Sequence, residues 1–509
     1  MRAASGPGGI YRLPAPTGSG KTLTAAGFAL HHAACHHKAR VIVAVPFLTI
    51  TEQNAGVYRR LLGEQTVLEH HSQAEFDEVG AGDRLRLAAE NWDAPFVVTT
   101  TVQLFDSLFG RKPARSRKLH RLANAVLVLD EVQALPVDLL VPILDALKLL
   151  TEHFGTTVLL TSATQPAFDS LSVWSTLKVK NLVDRPVELF QQLRRARYEW
   201  WIDPQPDLAE VASKVANERQ ALVVVNTVDH ARQMFRLLRD RTAATVRHLS
   251  TRMCSAHRRT VLDEVRGLLA ADEPVLLVST QLIEAGVDID FPVVFRALAP
   301  AESLQQAAGR ANREGHRDAL GRVVVFDASD APIPKFYRTA VGSTQVFFGP
   351  NLVDPDDVTA LDHYYQHLYN TIAVEQGERS RTIQERRKKL DFLSVAEGPL
   401  HDVGFSAQRD SALAFRMIDN DMVPVAVTGY QDQAHVEALL CELRVPERPT
   451  RETFRALRPY IVTIPRRIVT NPAFKAMCQP VVGQLWEWRG DYHKQLGIDD
   501  SAIGEENVW

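Results

Sequence analysis

The sequence predicts an α/β protein with two consecutive domains, each built on a mainly parallel sheet, followed by a smaller mixed domain. Three observations carry this. Short apolar or β-branched runs alternate with amphipathic stretches over the first 330 residues or so, as in successive βα units. The runs are continuously apolar rather than alternating, which fits strands covered on both faces. The alternation pauses at Lys180–Arg197, restarts, and is lost after the Pro-punctuated segment Ala331-Pro-Ile-Pro-Lys335. The expected domains are therefore 1–185, 186–335 and 336–509.

In chain order, Ile10–Leu13 reads as a first strand and Leu23–His32 as a helix. Buried strands follow at Val41–Val45, Phe96–Thr100, Ala125–Leu129 and Thr157–Thr161. The second half supplies Ala221–Val225, a helix over Asp229–Arg239, and strands at Val275–Ser279, Val293–Leu298 and Arg322–Phe326. The loops at the C-terminal ends of such strands are where parallel sheets bind ligands.

Those loops carry the chemistry. Ala15-Pro-Thr-Gly-Ser-Gly-Lys-Thr22 lies between a strand and a helix, as a phosphate-binding loop requires, although Ala15 stands where the strict pattern has Gly. Thr17, Gly18, Ser19 and Gly20 would curl the backbone so that successive N–H groups face one anion. Lys21 would reach the outer phosphates and the Thr22 hydroxyl would ligate Mg²⁺. Asp130 and Glu131 end a central strand; Asp130 suits Mg²⁺ through its water shell, and Glu131 suits orienting or deprotonating the attacking water. Ser162 and Thr164 end the next strand. Farther on, Ser279-Thr-Gln-Leu-Ile-Glu-Ala-Gly286-Val-Asp288-Ile-Asp290 follows a buried strand, and Gln305-Gln306-Ala-Ala-Gly-Arg310-Ala-Asn-Arg313 places two arginines three apart, on one face if helical. Arginines there can serve as fingers on a transferring phosphoryl group.

Composition bounds the alternatives. The 509 residues give 58 Lys+Arg against 61 Asp+Glu, so no global basic field exists and a nucleic-acid surface must be local. Four widely spaced cysteines exclude a disulfide framework and a cysteine zinc ribbon. No apolar run reaches the length of a membrane span and no signal-like N-terminus is present, so a reduced, cytoplasmic protein with no membrane contact is expected. The basic run Arg111–Arg121 fits a DNA-backbone contact and a solvated loop about equally. The i, i+4 histidines at 31–37 and 363–367 fit helix ends or packed rings better than metal ligands, and His401-Asp402 is a lone dipeptide.

Taken together, the loops resemble the motifs of superfamily 2 helicases in family order: Ala15–Thr22 motif I, Asp130–Gln133 motif II, Ser162–Thr164 motif III, Ser279–Asp290 motif V and Gln305–Arg313 motif VI. Longer phrases, Val98-Thr-Thr-Thr-Val-Gln-Leu-Phe105, Leu129-Asp-Glu-Val-Gln-Ala-Leu-Pro136 and Gln306–Gly315, resemble the helicase part of the CRISPR-associated helicase–nuclease of type I systems. Tyr460–Pro465 and Leu485–Tyr492 resemble that family's accessory domain.

The resemblance implies two tandem RecA-like domains, ATP with Mg²⁺, 3′→5′ translocation on single-stranded DNA, and recruitment by the RNA-guided surveillance complex. It assigns Lys21 and Thr22 to phosphate and metal, Asp130 and Glu131 to metal and water, and Gly286, Asp288 and Gln306 to the nucleotide. Arg310 and Arg313 would be fingers, Ser162 and Thr164 would couple nucleotide state to closure, and Thr99 and Thr100 would touch the DNA backbone. Only 20 residues precede Lys21, so the preference for ATP rests on the resemblance alone. The family's His-Asp (HD) nuclease usually lies upstream, and no such segment is found here; the chain is expected to be either a stand-alone helicase subunit working with a separate HD nuclease or an N-terminally shortened gene product. A general superfamily 2 helicase on RNA or repair intermediates, and an ATP-gated DNA clamp, share every one of these motifs.

Overall fold

The computed structural model describes residues 2–71, 91–284, 286–403, 406–418, 422–445, 450–469 and 471–499. Its Cα positions group into two compact units. One comprises Met1–Leu193, Gln345–Phe348 and Leu352–Ile418; the other comprises Arg194–Thr344, Gly349–Asn351 and Asp419–Trp509.

In the first unit, the strands of the main sheet are β1 (Ile10–Pro14), β2 (Arg40–Val45), β3 (Val67–His70), β4 (Phe96–Thr100), β5 (Ala125–Asp130), β6 (Thr157–Ser162) and β7 (Lys180–Asn181). They form one sheet in the order β3-β4-β2-β5-β6-β1-β7, and every pairing is parallel. Every residue of β4 and β6 is buried, as expected for strands covered on both faces. Parallel register brings the strand ends to one edge: Pro14 lies opposite Ser162, Asp130 opposite Thr161, and Val45 opposite Thr100.

The second unit has β8 (Ala196–Trp201), β9 (Gln220–Val224), β10 (Thr245–Leu249), β11 (Val275–Ser279), β12 (Val293–Ala297) and β13 (Gly321–Phe326). Their order is β10-β11-β9-β12-β13-β8, again all parallel. Successive residues of a strand face opposite ways. Accordingly Leu222, Val224, Leu277 and Val323 join one apolar cluster, while Ala221, Val223, Leu276 and Val324 join another on the opposite face.

The residues after 335 depart from the expectation of one separate domain over 336–509. The helices Val358–Thr371 and Glu378–Lys388 group with the first unit, where Arg387 pairs with Asp145 at 2.6 Å and Phe109 stacks on Phe415 at 3.8 Å. A mixed sheet groups with the second unit. Its strands run Ile461–Pro465, Met422–Val427, Leu485–Trp488, Cys478–Val482 in spatial order, with one parallel and two antiparallel pairings. There the Tyr492 hydroxyl lies 2.9 Å from His257 Nδ1, and Tyr430 Oη donates to Thr260 at 3.0 Å. Aromatic contacts thus draw each half of this stretch onto a different sheet's helices. No helix among the described residues is long and apolar enough to cross a membrane.

Candidate nucleotide-binding site

The loop after β1 is shaped by two glycines. Gly18 and Gly20 have φ of 78° and 81°, in the left-handed region that costs a side-chain-bearing residue energy. Ser19 N–H bonds Pro16 O at 3.2 Å and its hydroxyl bonds the same carbonyl at 2.6 Å, closing the turn. The helix Lys21–Cys35 starts directly after Gly20 with no side-chain cap, so its first amides and the positive end of its dipole face the loop. Ala15, the departure from the strict pattern, is buried in the core beside β1, and its N–H bonds Ser162 O at 3.3 Å. A side chain at that position packs inward and leaves the anion-facing curve to Gly18 and Gly20.

Two acids meet this loop from β5. Lys21 Nζ lies 3.2 Å from Glu131 Oε1, and both side chains are largely sheltered, at 11% and 23% exposure. Glu131 also accepts from Gln133 Nε2 at 2.6 Å, and its own N–H bonds Asp130 Oδ1 at 3.1 Å. The Glu131 backbone sits at φ 50°, ψ 52°, a left-handed conformation for a residue with a side chain, held by its surroundings and concentrated at functional positions in proteins. Burial pushes the Asp130 carboxyl pKa up, the neighbouring Glu131 adds to this, and Lys21 and the Thr161 hydroxyl bonded to it oppose it. A divalent cation suits such a carboxylate, since it returns the charge stabilisation that burial removes. Thr22 is half-buried on the first turn of the same helix as Lys21.

Ser162 and Thr164 are fully buried. Ser162 Oγ donates to Gln133 Oε1 at 2.5 Å and lies 3.4 Å from Thr164 Oγ1, so the end of β6 is tied to the segment carrying Glu131. Thr99 and Thr100, expected to touch the DNA backbone, lie at the end of β4 with their hydroxyls bonded within the unit. Both are buried; Thr99 Oγ1 donates to His70 O at 2.7 Å, and Thr100 Oγ1 caps the helix Thr101–Phe109 by accepting from Gln103 N at 3.2 Å. The basic run Arg111–Arg121 is largely engaged as well. Arg111 pairs with Glu397, Arg115 with Asp106 and Arg121 with Asp93 at 2.5–2.9 Å, and Lys118 is buried over Trp92.

In the second unit the arginine segment corrects the helical expectation. The helix Ala301–Ala308 ends at Gly309, and Arg310–Asn312 turn into a bridge with Phe291: Phe291 N–H bonds Arg310 O at 2.9 Å and Asn312 N–H bonds Phe291 O at 3.0 Å. The two arginines therefore do not share a helix face. Arg310 is buried, with Nε donating to Ile283 O at 3.0 Å and Nη2 to Glu284 O at 2.6 Å. Arg313 is half-buried and paired through Nε with Asp288 at 2.8 Å. Asp290 accepts from the Arg313 N–H and from Arg317 Nη1, both at 2.7 Å, so the two acids of the Gly286–Asp290 turn hold the Arg313 segment. Gly286 provides the turn itself at φ 73°. Gln306 is half-buried on the helix, whereas its neighbour Gln305 is buried. Sequence reasoning missed Arg296 and Glu284, a buried ion pair at 2.8 Å; a charged residue inside the otherwise apolar β12 was the signal.

A family model described as DEAD/DEAH box helicase matches residues 11–171, and one described as the C-terminal part of the CRISPR-associated nuclease/helicase Cas3 matches residues 217–316. A CRISPR-associated nuclease/helicase Cas3 of Haloferax volcanii is 26% identical over 436 residues, covering 63% of this chain and 46% of the relative. The crystal structure of T. fusca Cas3 with AMPPNP has the same fold, with a TM-score of 0.67 at 16% identity, over 94% of this chain and 65% of that one. A chain of a CRISPR RNA-guided surveillance complex in a pre-nicking state matches with a TM-score of 0.58 at 17% identity, over 96% and 65%. The chain spans about half the length of the curated relatives it matches. With one helicase family model matched in each unit and Cas3 proteins among both its relatives and its structural neighbours, the chain is similar to the CRISPR-associated Cas3 helicases.

Proposed function

We propose that the chain is an ATP-driven translocase on single-stranded DNA, moving 3′→5′, in type I CRISPR interference. The observation that carries the proposal is the meeting of Lys21, Asp130 and Glu131 behind a glycine loop, in a Cas3 relative. Gly18, Gly20 and the helix amides after them receive the phosphates of ATP, and Lys21 leaves Glu131 for the outer phosphates. Thr22 and Asp130 hold Mg²⁺, which would neutralise developing charge on the phosphoryl oxygens when bound. Glu131, released from Lys21 and still steadied by Gln133, orients the attacking water. The link from Gln133 to Ser162 carries the state of that site to the end of β6.

From the second unit, Gly286 and Gln306 approach the nucleotide. Arg313 leaves Asp288 to act on the phosphoryl group, while Arg310 positions the loop beneath it through its two carbonyl contacts. Closure of the two domains on ATP and reopening after hydrolysis turn this chemistry into stepping. The RNA-guided surveillance complex supplies the DNA, and a separate His-Asp nuclease cuts the strand that is drawn out. The test measures ATP hydrolysis and displacement of a labelled strand on 3′- and 5′-tailed duplexes. Hydrolysis stimulated by single-stranded DNA, with displacement from the 3′ tail only, is expected. Stimulation by RNA alone would favour a general superfamily 2 helicase. ATP-dependent retention of DNA without displacement would make the protein a clamp.

A further inference from the structure

In the second unit a charged hub lies beneath the strand ends. Arg296, on β12, is completely buried, and its partner Glu284 in the turn after β11 is nearly so. An ion pair this deep contributes little net stability over an apolar pair of the same size, so its geometry is more informative than its charge. The planar guanidinium reaches three ways. Nε lies 2.8 Å from Glu284 Oε1, and Nη1 donates to Asn226 Oδ1 at 2.6 Å and to Ala297 O at 2.9 Å.

Asn226 follows β9; its side-chain amide donates to Leu298 O at 2.8 Å, and its carbonyl accepts from Gln281 Nε2 at 3.0 Å. Gln281 reaches on to Tyr337 Oη at 3.3 Å. At the other side, the turn that holds Glu284 receives the Arg310 guanidinium on the carbonyls of Ile283 and Glu284. From Asn226 to Arg310 the path is an unbroken chain of polar contacts no longer than 3.3 Å, crossing the ends of β9, β11 and β12. A fork with fixed angles transmits a displacement of one end to the others, which a flexible or apolar side chain would absorb.

We infer that Arg296 and Glu284 are a positioning pair that locks the loops after β9 and β11 to the Arg310–Arg313 segment, so that nucleic acid bound at those loops changes the placement of Arg313. The functional half of this inference rests on the reading of the chain as a DNA-stimulated ATPase. The structural half does not.

The experiment uses Arg296→Lys, which keeps a positive charge but has no planar fork to hold Glu284 on one side and Asn226 with the Ala297 carbonyl on the other. Glu284→Gln, which keeps shape and removes charge, serves as the second variant should the first fail to fold. Hydrogen exchange on the protein without nucleotide or DNA reads the lock directly. Segments around 226–228, 281–284 and 310–313 should lose protection together, and a change confined to 295–298 overturns the hub. The second readout is turnover. Stimulation by single-stranded DNA should fall about tenfold or more, with unstimulated turnover and the KM for ATP within about threefold of the parent, a split that general damage to the fold would not produce. Full stimulation in a folded variant overturns the coupling. A parent protein whose hydrolysis ignores single-stranded DNA sinks the proposed function instead, and hydrogen exchange then still decides the hub.

Discussion

Glu131→Gln separates chemistry from structure, because the two roles of this side chain have different magnitudes. Its structural role is the contact with Lys21 at 3.2 Å and the bond from Gln133 at 2.6 Å. Glutamine keeps an acceptor for Gln133 and tolerates the same left-handed backbone, so only the ion pair is lost. A partly sheltered pair of this kind is worth about 1 kcal/mol or less, a melting shift of about 2–4 °C in a domain of this size. The chemical role is larger. Removing the group that orients or deprotonates water should slow hydrolysis by a factor of about 10² or more, roughly 3 kcal/mol in the barrier. Lys21→Ala, by contrast, should weaken nucleotide binding itself. The assay combines steady-state ATP hydrolysis with and without single-stranded DNA, titration of a fluorescent ATP analogue, and thermal melting. Binding close to the parent's with turnover reduced a hundredfold is expected for Glu131→Gln. Hydrolysis at the parental rate in that variant would remove Glu131 from the mechanism.

The two arginines should behave differently. Arg313→Ala should reduce stimulated turnover by about 10³ with little change in melting, whereas Arg310→Ala should also lower the melting temperature, because two buried carbonyls each lose a charged donor at about 1–3 kcal/mol; equal melting of the two variants would contradict this division. Asp130→Asn should raise the melting temperature of the nucleotide-free protein while abolishing hydrolysis, since burial and Glu131 both disfavour the ionised carboxyl; a drop in melting would refute it. His32, His248 and His257 are held neutral by burial, with pKa values lowered from 6.5 to about 4, 3 and 4. The unfolded chain therefore binds more protons than the native one between those values and about 6.5, so stability should fall as pH drops through that window and level off above it. Melting curves from pH 5 to pH 8 with no such slope would show that these rings are already protonated in the fold.

The interior strands were legible in the sequence, and the edges were not. Phe96–Thr100 and Val275–Ser279 match residue for residue because continuous apolar runs have one reading. Within the two parallel sheets, the four described strands that the sequence pattern left out, β3, β7, β8 and β10, are the sheet ends. Edge strands are half-solvated, and they carry Glu69, Arg197, Glu199 and Arg247 among their apolar residues, which breaks the continuous pattern. The phosphate loop and the acid pair were legible because turn glycines and strand-end carboxylates are local signals. The arginine segment was not. Its spacing suits a helix, but Gly309 and the bridge to Phe291 turn it into an extended piece, a tertiary fact with no local signature. The division of residues after 335 between the two units was hidden for the same reason, since it depends on which distant partners Arg387, Phe415, Tyr430 and Tyr492 meet.

The contact between Lys21 and Glu131 has an electrostatic consequence for the arrival of substrate. A lysine surrounded only by water would surrender its hydration shell to bind phosphate; this one has given up much of that shell already and rests on an anion. Nucleotide binding is then an exchange of one negative partner for another, nearly neutral in lysine desolvation. The carboxylate it leaves becomes available at the moment a phosphoryl group is present to be attacked. Without a phosphate in the loop, the same carboxylate stays paired, and a water molecule beside it meets a neutralised base.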